Sequence, residues 1–101
     1  MAELTKYGFI IKARGYNHKK DIKELSSDYF CSSIVGVATL DEACLAAQKM
    51  VSDGIEVLEL CGGFSSEDHK QIVQSIKGKI PVGLVGFTAE ENIKLKIFVD
   101  S

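Results

Sequence analysis

The sequence has little of several features that mark specialised classes of protein. It contains one proline, Pro81, and neither a low-complexity segment nor a proline-rich linker that would divide it. It has no apolar run close to the ~20 residues that a membrane-spanning helix needs. Its first residues also lack the apolar stretch of a secretion signal. We therefore expect a single domain over residues 1–101, no membrane association and a cytoplasmic location.

An excess of charge of one sign is also missing. Twelve basic and 14 acidic residues give a formal net charge of −2. Such a balance creates no long-range field that would gather nucleic acid or an anionic membrane. The densest basic segment, residues 19–23, is interrupted by Asp21, which is typical of a solvated surface rather than a phosphate-binding patch. We therefore expect neither nucleic acid nor a membrane as a partner.

Cysteine is sparse and does not form a recognisable motif. Cys31, Cys44 and Cys61 are odd in number, form no C-x-x-C pair and have no histidine at the spacing of a zinc site. A disulfide framework and a structural zinc are both poorly supported, and the pattern suits a reducing compartment. The sequence predicts no metal site and identifies no cofactor.

What the sequence does contain is an alternation of short apolar runs with segments of 3.6-residue periodicity. This pattern indicates an α/β fold of two or three layers around a mostly parallel sheet of four to five strands. Strands are predicted at residues 7–13, 30–38, 55–60 and 82–87, and helices at residues 40–51 and 65–76. Residues 18–25 predict a short helix or a helical turn. The last segment predicts a helical turn from residue 88, followed by an edge strand over residues 93–99. The expected order of elements is β-α-β-α-β-α-β-β.

Capping signals support the two longer helices. Thr39 and Glu42 form the pattern of a capping box, Ser65 is a suitable N-cap, and Gly54 tolerates the left-handed conformation that ends a helix.

Three helices are too few to cover both faces of a sheet of about five strands. We therefore expect a homo-oligomer that covers part of one sheet face.

A double glycine follows the third predicted strand. Gly62 and Gly63 permit positive φ angles and close backbone approach, and free N–H groups at the next helix start, near Ser65, suit an anion. Ligands of open α/β sheets bind at the carboxyl ends of the strands. We therefore predict a small-molecule-binding loop here, bordered by Arg14 and Phe64. The alternative is a tight strand-to-helix turn, because the spacing matches neither a dinucleotide fingerprint nor a P-loop.

Two side chains near this loop are candidates for catalysis. Glu59 suits a general base or a hydrogen bond to a ligand, and an ion pair with Arg14 or Lys12 is the alternative. Cys61 precedes a helix start, where a thiol can become a nucleophile, although free cysteines more often pack as small apolar residues. His18 follows the first strand and is a further candidate on the same side.

Three segments carry a family resemblance: residues 6–15 (KYGFIIKARG), residues 35–43 (VGVATLDEA) and residues 53–87, with ELCGGF over residues 59–64 as the most specific element. They resemble a family of bacterial α/β proteins, about as long as this chain, that is defined only as a domain of unknown function. The resemblance covers the chain from Tyr7 to about Phe87, and the tail after Thr88 is less typical. It implies a compact α/β fold and brings no activity, cofactor or catalytic residue.

Three functions therefore stay open. The first is a small-molecule-binding or accessory domain with its site at the strand ends. The second is a small enzyme that uses Glu59 or Cys61 with Arg14 and His18. The third is a structural homo-oligomer assembled through the last strand. A concave cavity beside Gly62 and Gly63 would favour the first two, and a filled strand-end surface would favour the third.

Overall fold

A computed structural model describes residues 2–101, in which five strands form one sheet with three helices. The elements are β1 (Lys6–Lys12), β2 (Ile22–Ser26), β3 (Cys31–Val37), α1 (Leu40–Ser52), β4 (Val57–Leu60), α2 (Ser66–Ser75), β5 (Val82–Leu84) and α3 (Ala89–Asp100). The strand order in the sheet is β2-β3-β1-β4-β5. β2 is antiparallel to β3, and the other neighbours are parallel. The expected α/β fold with a mostly parallel sheet is confirmed, but the order of elements is β-β-β-α-β-α-β-α.

The segment predicted as the first helix, residues 18–25, is instead a turn followed by β2. All five residues of β2 are exposed, and its backbone hydrogen bonds come from antiparallel pairing with β3. A tight turn joins β2 directly to β3. The Ser27 hydroxyl stabilises this turn by accepting hydrogen bonds from the N–H groups of Tyr29 and Phe30. Serine and aspartate in residues 26–28 are the turn signal that identifies the hairpin.

The segment predicted as a last edge strand is the helix α3. The Thr88 hydroxyl accepts a hydrogen bond from the N–H of Glu91 and starts the helix. The apolar residues at alternate positions from Ile93 to Val99 therefore lie on opposite sides of a helix rather than on one face of a strand. No residue of α3 is buried.

Across residues 2–101, each helix is too short or too polar to cross a bilayer.

The helices α1 and α2 pack against each other on one face of the sheet. The connections from β3 to β4 and from β4 to β5 run in the same direction across the sheet, so right-handed crossovers place both helices on the same side. A Cβ atom added at Gly8 would lie 2.6 Å from Met50 of α1, which identifies the residues of β1 that face this layer. The core lies between the layers, and its largest fully buried side chains are Ile10, Leu58, Leu60, Ile72 and Val37.

The opposite face of the sheet has no helix from the described chain over it. Its side chains alternate with those of the core, and most of them are apolar and half-buried. We call this surface the open face and define it by Tyr7, Phe9, Ile11, Ile34, Val57 and Glu59. Two rings from loops lie at its margins: Tyr16 packs on Gly36, and Phe30 stacks on Tyr7 with ring centroids 6.2 Å apart.

Both predicted N-caps are present. The Thr39 hydroxyl accepts a hydrogen bond from the N–H of Glu42. The Glu42 carboxylate accepts a hydrogen bond from the N–H of His18 and not from the N–H of Thr39, so the capping box is incomplete. Glu42 therefore fixes the loop after β1 against α1. At the other end of α1, Gly54 has a φ of 94° and reverses the chain toward β4.

Candidate functional site

The double-glycine turn lies at the carboxyl end of β4, but it is packed against its neighbours. A Cβ added at Gly62 would lie 3.6 Å from the carbonyl oxygen of Val85, and one at Gly63 would lie 3.4 Å from the sulfur of Cys61. Neither glycine has the positive φ that the sequence suggested. The turn closes through a hydrogen bond from the Phe64 N–H to the carbonyl of Cys61. These are ordinary van der Waals distances at two exposed positions, so neither a close approach nor a positive φ requires glycine at Gly62 or Gly63.

The start of α2 is occupied by a side chain of its own first turn. Ser65 and Asp68 form a reciprocal capping box, in which the Ser65 hydroxyl accepts from the N–H of Asp68 and the Asp68 carboxylate accepts from the N–H of Ser65. The ammonium of Lys12 lies 3.7 Å from the same carboxylate. The Ser65 N–H, and the Lys12 charge with it, hold the pKa of Asp68 below its usual value. An external anion at this helix start would have to compete with Asp68 for the Ser65 N–H, so the anion site at Ser65 stays a prediction.

Phe64 and Cys61 have structural contacts. Phe64 is 4% exposed and packs in the core, and its place beside a ligand stays a prediction. The ammonium of Lys12 lies 5.2 Å from the centre of its ring. The sulfur of Cys61 is half-buried and accepts a hydrogen bond from the N–H of Lys12 at 3.3 Å. These contacts tie the turn to the end of β1.

Glu59 lies on the open face, where the phenol of Tyr7 donates a hydrogen bond to its carboxylate. Tyr7 is 52 residues away in the chain and comes within reach because β1 and β4 are paired. Burial raises the pKa of Tyr7 to about 12, and the hydrogen bond and charge of Glu59 act in the same direction. The expected ion pair of Glu59 with Arg14 or Lys12 is wrong, because Lys12 points to the other face of the sheet and contacts Asp68.

The surroundings of Glu59 are apolar on one side and free of side chains on the other. In the sheet, Glu59 lies between Phe9 of β1 and Gly83 of β5. A Cβ added at Gly83 would lie 3.6 Å from the Cγ of Glu59, so the absence of a side chain leaves space beside the carboxylate. Among residues 2–101, no lysine or arginine forms an ion pair with Glu59. A half-buried carboxylate with a phenol as its partner is therefore exposed to incoming ligands on this face.

The remaining candidates lie apart from this pair. Arg14 is exposed in the turn after β1 and makes no hydrogen bond or ion pair within the described chain. His18 is held through its backbone N–H by Glu42. The other histidine, His69 on α2, is not among these candidates, and its Nε2 atom lies 2.8 Å from the carbonyl oxygen of Val82. Tyr7 is the residue that sequence reasoning missed, because only the strand register reveals that it faces Glu59.

A cavity of about 370 Å³ lies elsewhere, between α1 and β2. It exists because α1 packs on β1 and β3 and leaves the edge strand uncovered on that side. Its apolar part is formed by Ile22, Val35, Leu45, Ala46 and Met50, and its polar part by His18, Lys19, Ser33, Lys49 and Asp53. Arg14, residues 61–65, Tyr7 and Glu59 line neither this cavity nor the three other principal cavities of residues 2–101. Within this range, the strand ends beside the double glycine therefore carry no concave site, and the open face around Glu59 is a surface rather than a pocket.

Within residues 2–101, no group of three or more His, Cys, Asp and Glu side chains is arranged to hold a metal ion.

Comparison with known proteins places the chain in a family but assigns it no activity. Neither the curated proteins nor the solved structures that were searched contain a match. One family model matches residues 5–100 and thus includes the tail that the sequence alone left outside the resemblance. The chain therefore belongs to DUF6506, a family of unknown function.

Proposed function

We propose that this protein is a small-molecule-binding domain whose site is the part of the open face around Tyr7 and Glu59. The observation that carries the proposal is the half-buried Glu59 carboxylate, which has a phenol as its hydrogen-bond partner and no cation beside it. Removing a carboxylate from water is costly unless it is paired. A half-buried carboxylate that lacks a cation on an apolar surface is therefore a candidate for binding a ligand with a donor group.

The protonation of Tyr7 supports binding rather than proton abstraction by the phenol. Because the pKa of Tyr7 is raised to about 12, the phenol keeps its proton at neutral pH and acts as a donor. A general base works best with a pKa near the working pH, and a tyrosine of this kind is far from that condition. Tyr7 then orients the carboxylate of Glu59 toward a ligand.

The chemistry of the surface defines the class of ligand. Glu59 offers a negatively charged acceptor, Phe9 and Val57 offer apolar contact, and Gly83 leaves room beside the carboxylate. A small apolar molecule that carries an ammonium or hydroxyl group fits this combination, because its donor pairs with Glu59 and its body covers the apolar surface. An anionic molecule of the same shape would be repelled.

The test is an NMR titration of the isotope-labelled full chain with phenethylamine, with 2-phenylethanol and with phenylacetate as the anionic counterpart. We expect the amine to shift backbone signals of β1, β4 and β5 near Tyr7 and Glu59, and phenylacetate to leave them unchanged. Glu59→Gln should weaken amine binding by roughly tenfold or more, since it removes a charge-assisted hydrogen bond worth about 1.5–3 kcal/mol.

The matched control is Glu67→Gln, which removes the same charge from an exposed position on α2 and should leave the amine affinity unchanged. Tyr7→Phe should have a smaller effect than Glu59→Gln, because it disturbs only the orientation of the carboxylate. Equal binding of all three probes, or amine binding that survives Glu59→Gln, would contradict the proposal.

The cavity between α1 and β2 is a second candidate site. Its volume of about 370 Å³ lies within the range of roughly 300–1,000 Å³ that is common for small-molecule pockets. Its floor is apolar and its rim is charged, so it suits an amphipathic molecule. In the same titration, shifts confined to Ile22, Val35 and Met50 would identify this cavity as the site instead of the open face.

We also propose a reducing compartment, such as the cytoplasm, for this protein. Cys31, Cys44 and Cys61 are free thiols, and each is half-buried. Free thiols persist where glutathione and thioredoxin keep them reduced. Thiol labelling of the unfolded chain immediately after extraction from its native host would test this, and we expect all three thiols to react.

A further inference from the structure

The helix α3 has apolar side chains on two opposite sides and packs on neither. Ile93 and Ile97 lie one turn apart on one side, and Leu95, Phe98 and Val99 lie on the other. They are 41–77% exposed, and Phe98 is the most exposed of the five. The polar contacts of α3 side chains are local, such as the ion pairs of Lys94 with Glu91 and of Lys96 with Asp100. A helix that is apolar on more than one side normally lies between two other elements.

The projection of α3 is visible in the dimensions of the chain. The radius of gyration is 14.3 Å, whereas a compact domain of about 100 residues has a value near 13 Å. The longest axis is 41 Å, compared with 29 and 24 Å for the other two. The body of the chain therefore ends at β5, and α3 extends beyond it as an arm.

The open face is the complementary surface. Phe9, Ile11, Ile34 and Val57 form its apolar centre, and none of them is covered by a helix of the described chain. Twelve residues give α3 a length of about 18 Å, and the seven residues of β1 or β3 extend over about 23 Å. Three adjacent strands are about 10 Å wide, which matches the diameter of one helix.

From these observations we infer that the chain forms a twofold-symmetric dimer in which α3 of each protomer packs on the open face of the other. One side of α3 contacts the sheet of the second copy, and the other side contacts the second α3. In each contact, a helix about 18 Å long buries half of its lateral surface, and the sheet buries a similar area beneath it. The two reciprocal contacts together bury roughly 1,400 Å². Stable interfaces are of this size.

A second copy fits these observations better than the chain's own sheet. In the protomer α3 extends beyond the body and does not lie on its own sheet, so a second copy supplies the complementary surface. Reciprocal exchange then covers both surfaces and closes the assembly at two copies. The dimer contact and the proposed ligand site share Phe9 and Val57, so in the dimer a ligand at Glu59 would lie beneath the arm of the second copy. The two proposals fail separately, because the titration measures ligand binding at Glu59 and the dimer test measures molar mass without a ligand.

The test measures the molar mass of the full chain by light scattering during size-exclusion chromatography. We expect a dimer for the wild type and a folded monomer for Ile97→Glu/Phe98→Glu, with the dissociation constant raised by at least ~30-fold. These side chains are 65% and 77% exposed, so circular dichroism of the variant should retain the signal of the body. The control Gln71→Glu/Gln74→Glu adds the same two negative charges at exposed positions of α2 and should remain dimeric.

A mixing experiment distinguishes exchange onto the sheet from contact between the two α3 helices alone. Ile34→Lys alters the open face without touching α3 and should also be monomeric, with Ile34→Thr as the milder variant if the lysine prevents folding. Mixing the sheet variant with Ile97→Glu/Phe98→Glu should restore a heterodimer, because one intact α3 then meets one intact sheet. A monomeric wild type at 100 μM, a dimer that survives the α3 variant, or a homodimer of the sheet variant would each overturn the inference.

Discussion

Glu56 links the start of β1 to the start of β4 through one carboxylate oxygen. The N–H groups of Thr5 and Lys6 both donate to this oxygen at 3.0 Å. These bonds hold the pKa of Glu56 below its ordinary value of 4.5, and the charge of Lys6 adds to the effect. The carboxylate therefore adds to the backbone hydrogen bond from the Glu56 N–H to the Lys6 carbonyl at the point where the two strands join.

The direction of this shift predicts a loss of stability in acid. Because the folded pKa of Glu56 lies below the unfolded value of 4.5, the unfolded chain binds more protons in this range. The stabilisation is complete above pH 4.5 and is lost as the pH falls through the folded pKa. Urea unfolding at pH 7 and pH 3 should show a smaller decrease in midpoint for Glu56→Gln than for the wild type. Equal decreases in the two proteins would contradict this role of Glu56.

Gly36 is required at its position because a ring occupies the space of its missing side chain. A Cβ at Gly36 would lie 2.6–2.8 Å from three ring atoms of Tyr16. Gly36→Ala should therefore displace the ring and lower the free energy of unfolding by about 1–2 kcal/mol. In a Tyr16→Ala background the same change should cost almost nothing. An equal cost in both backgrounds, measured by urea unfolding, would show that the ring is not the cause.

Glu59 and Tyr7 differ in whether the local sequence identifies them. The sequence identified Glu59 as a carboxylate in a strand that needs a partner, and this chemical argument is independent of the fold. The partner Tyr7 depends on the register between β1 and β4, and a shift of one residue would turn Tyr7 to the other face. No local pattern contains that register.

At the scale of elements, α1 depends on local signals that the sequence displays. Thr39 caps the helix through its hydroxyl, and Asp41 and Glu42 place negative charge in the first turn. Thr39→Ala should lower the free energy of unfolding by about 1 kcal/mol. The control Thr39→Ser keeps the hydroxyl and should lose less than half of that amount. A similar loss for both variants in thermal or urea unfolding would mean that the cap is not the source.

β2 and α3 show where local signals were insufficient. β2 is exposed along its length, so its strand conformation depends on hydrogen bonds to β3 rather than on burial of its own side chains. In α3, apolar residues at every second position suggest a strand. The Thr88 cap and the acidic residues of the first turn stabilise a helix instead, and its apolar sides remain unpacked in the protomer.

At the scale of the molecule, stability is small compared with the contribution of single core residues. A chain of about 100 residues has a free energy of unfolding of roughly 5–15 kcal/mol. Phe64 is 4% exposed, so Phe64→Ala should cost about 3–5 kcal/mol, a large share of the total. Phe87→Ala removes the same atoms from a side chain that is 50% exposed and should cost less than about 1 kcal/mol. If urea unfolding showed comparable losses of free energy for the two variants, the stabilising role of Phe64 in the core would be contradicted.

The sequence by itself determined the fold class, the parallel strands β1, β3 and β4, and the ends of α1, because periodicity and capping act between residues that are close in the chain. Only the tertiary structure decided which side of the sheet each residue faces, that both packed helices lie on one side, and that Tyr7 meets Glu59. The physical reason is that strand register and crossover direction arise from contacts between distant segments. Whether the apolar sides of α3 pack on other elements also depends on distant segments. Only the folded chain therefore shows that they are left unpacked.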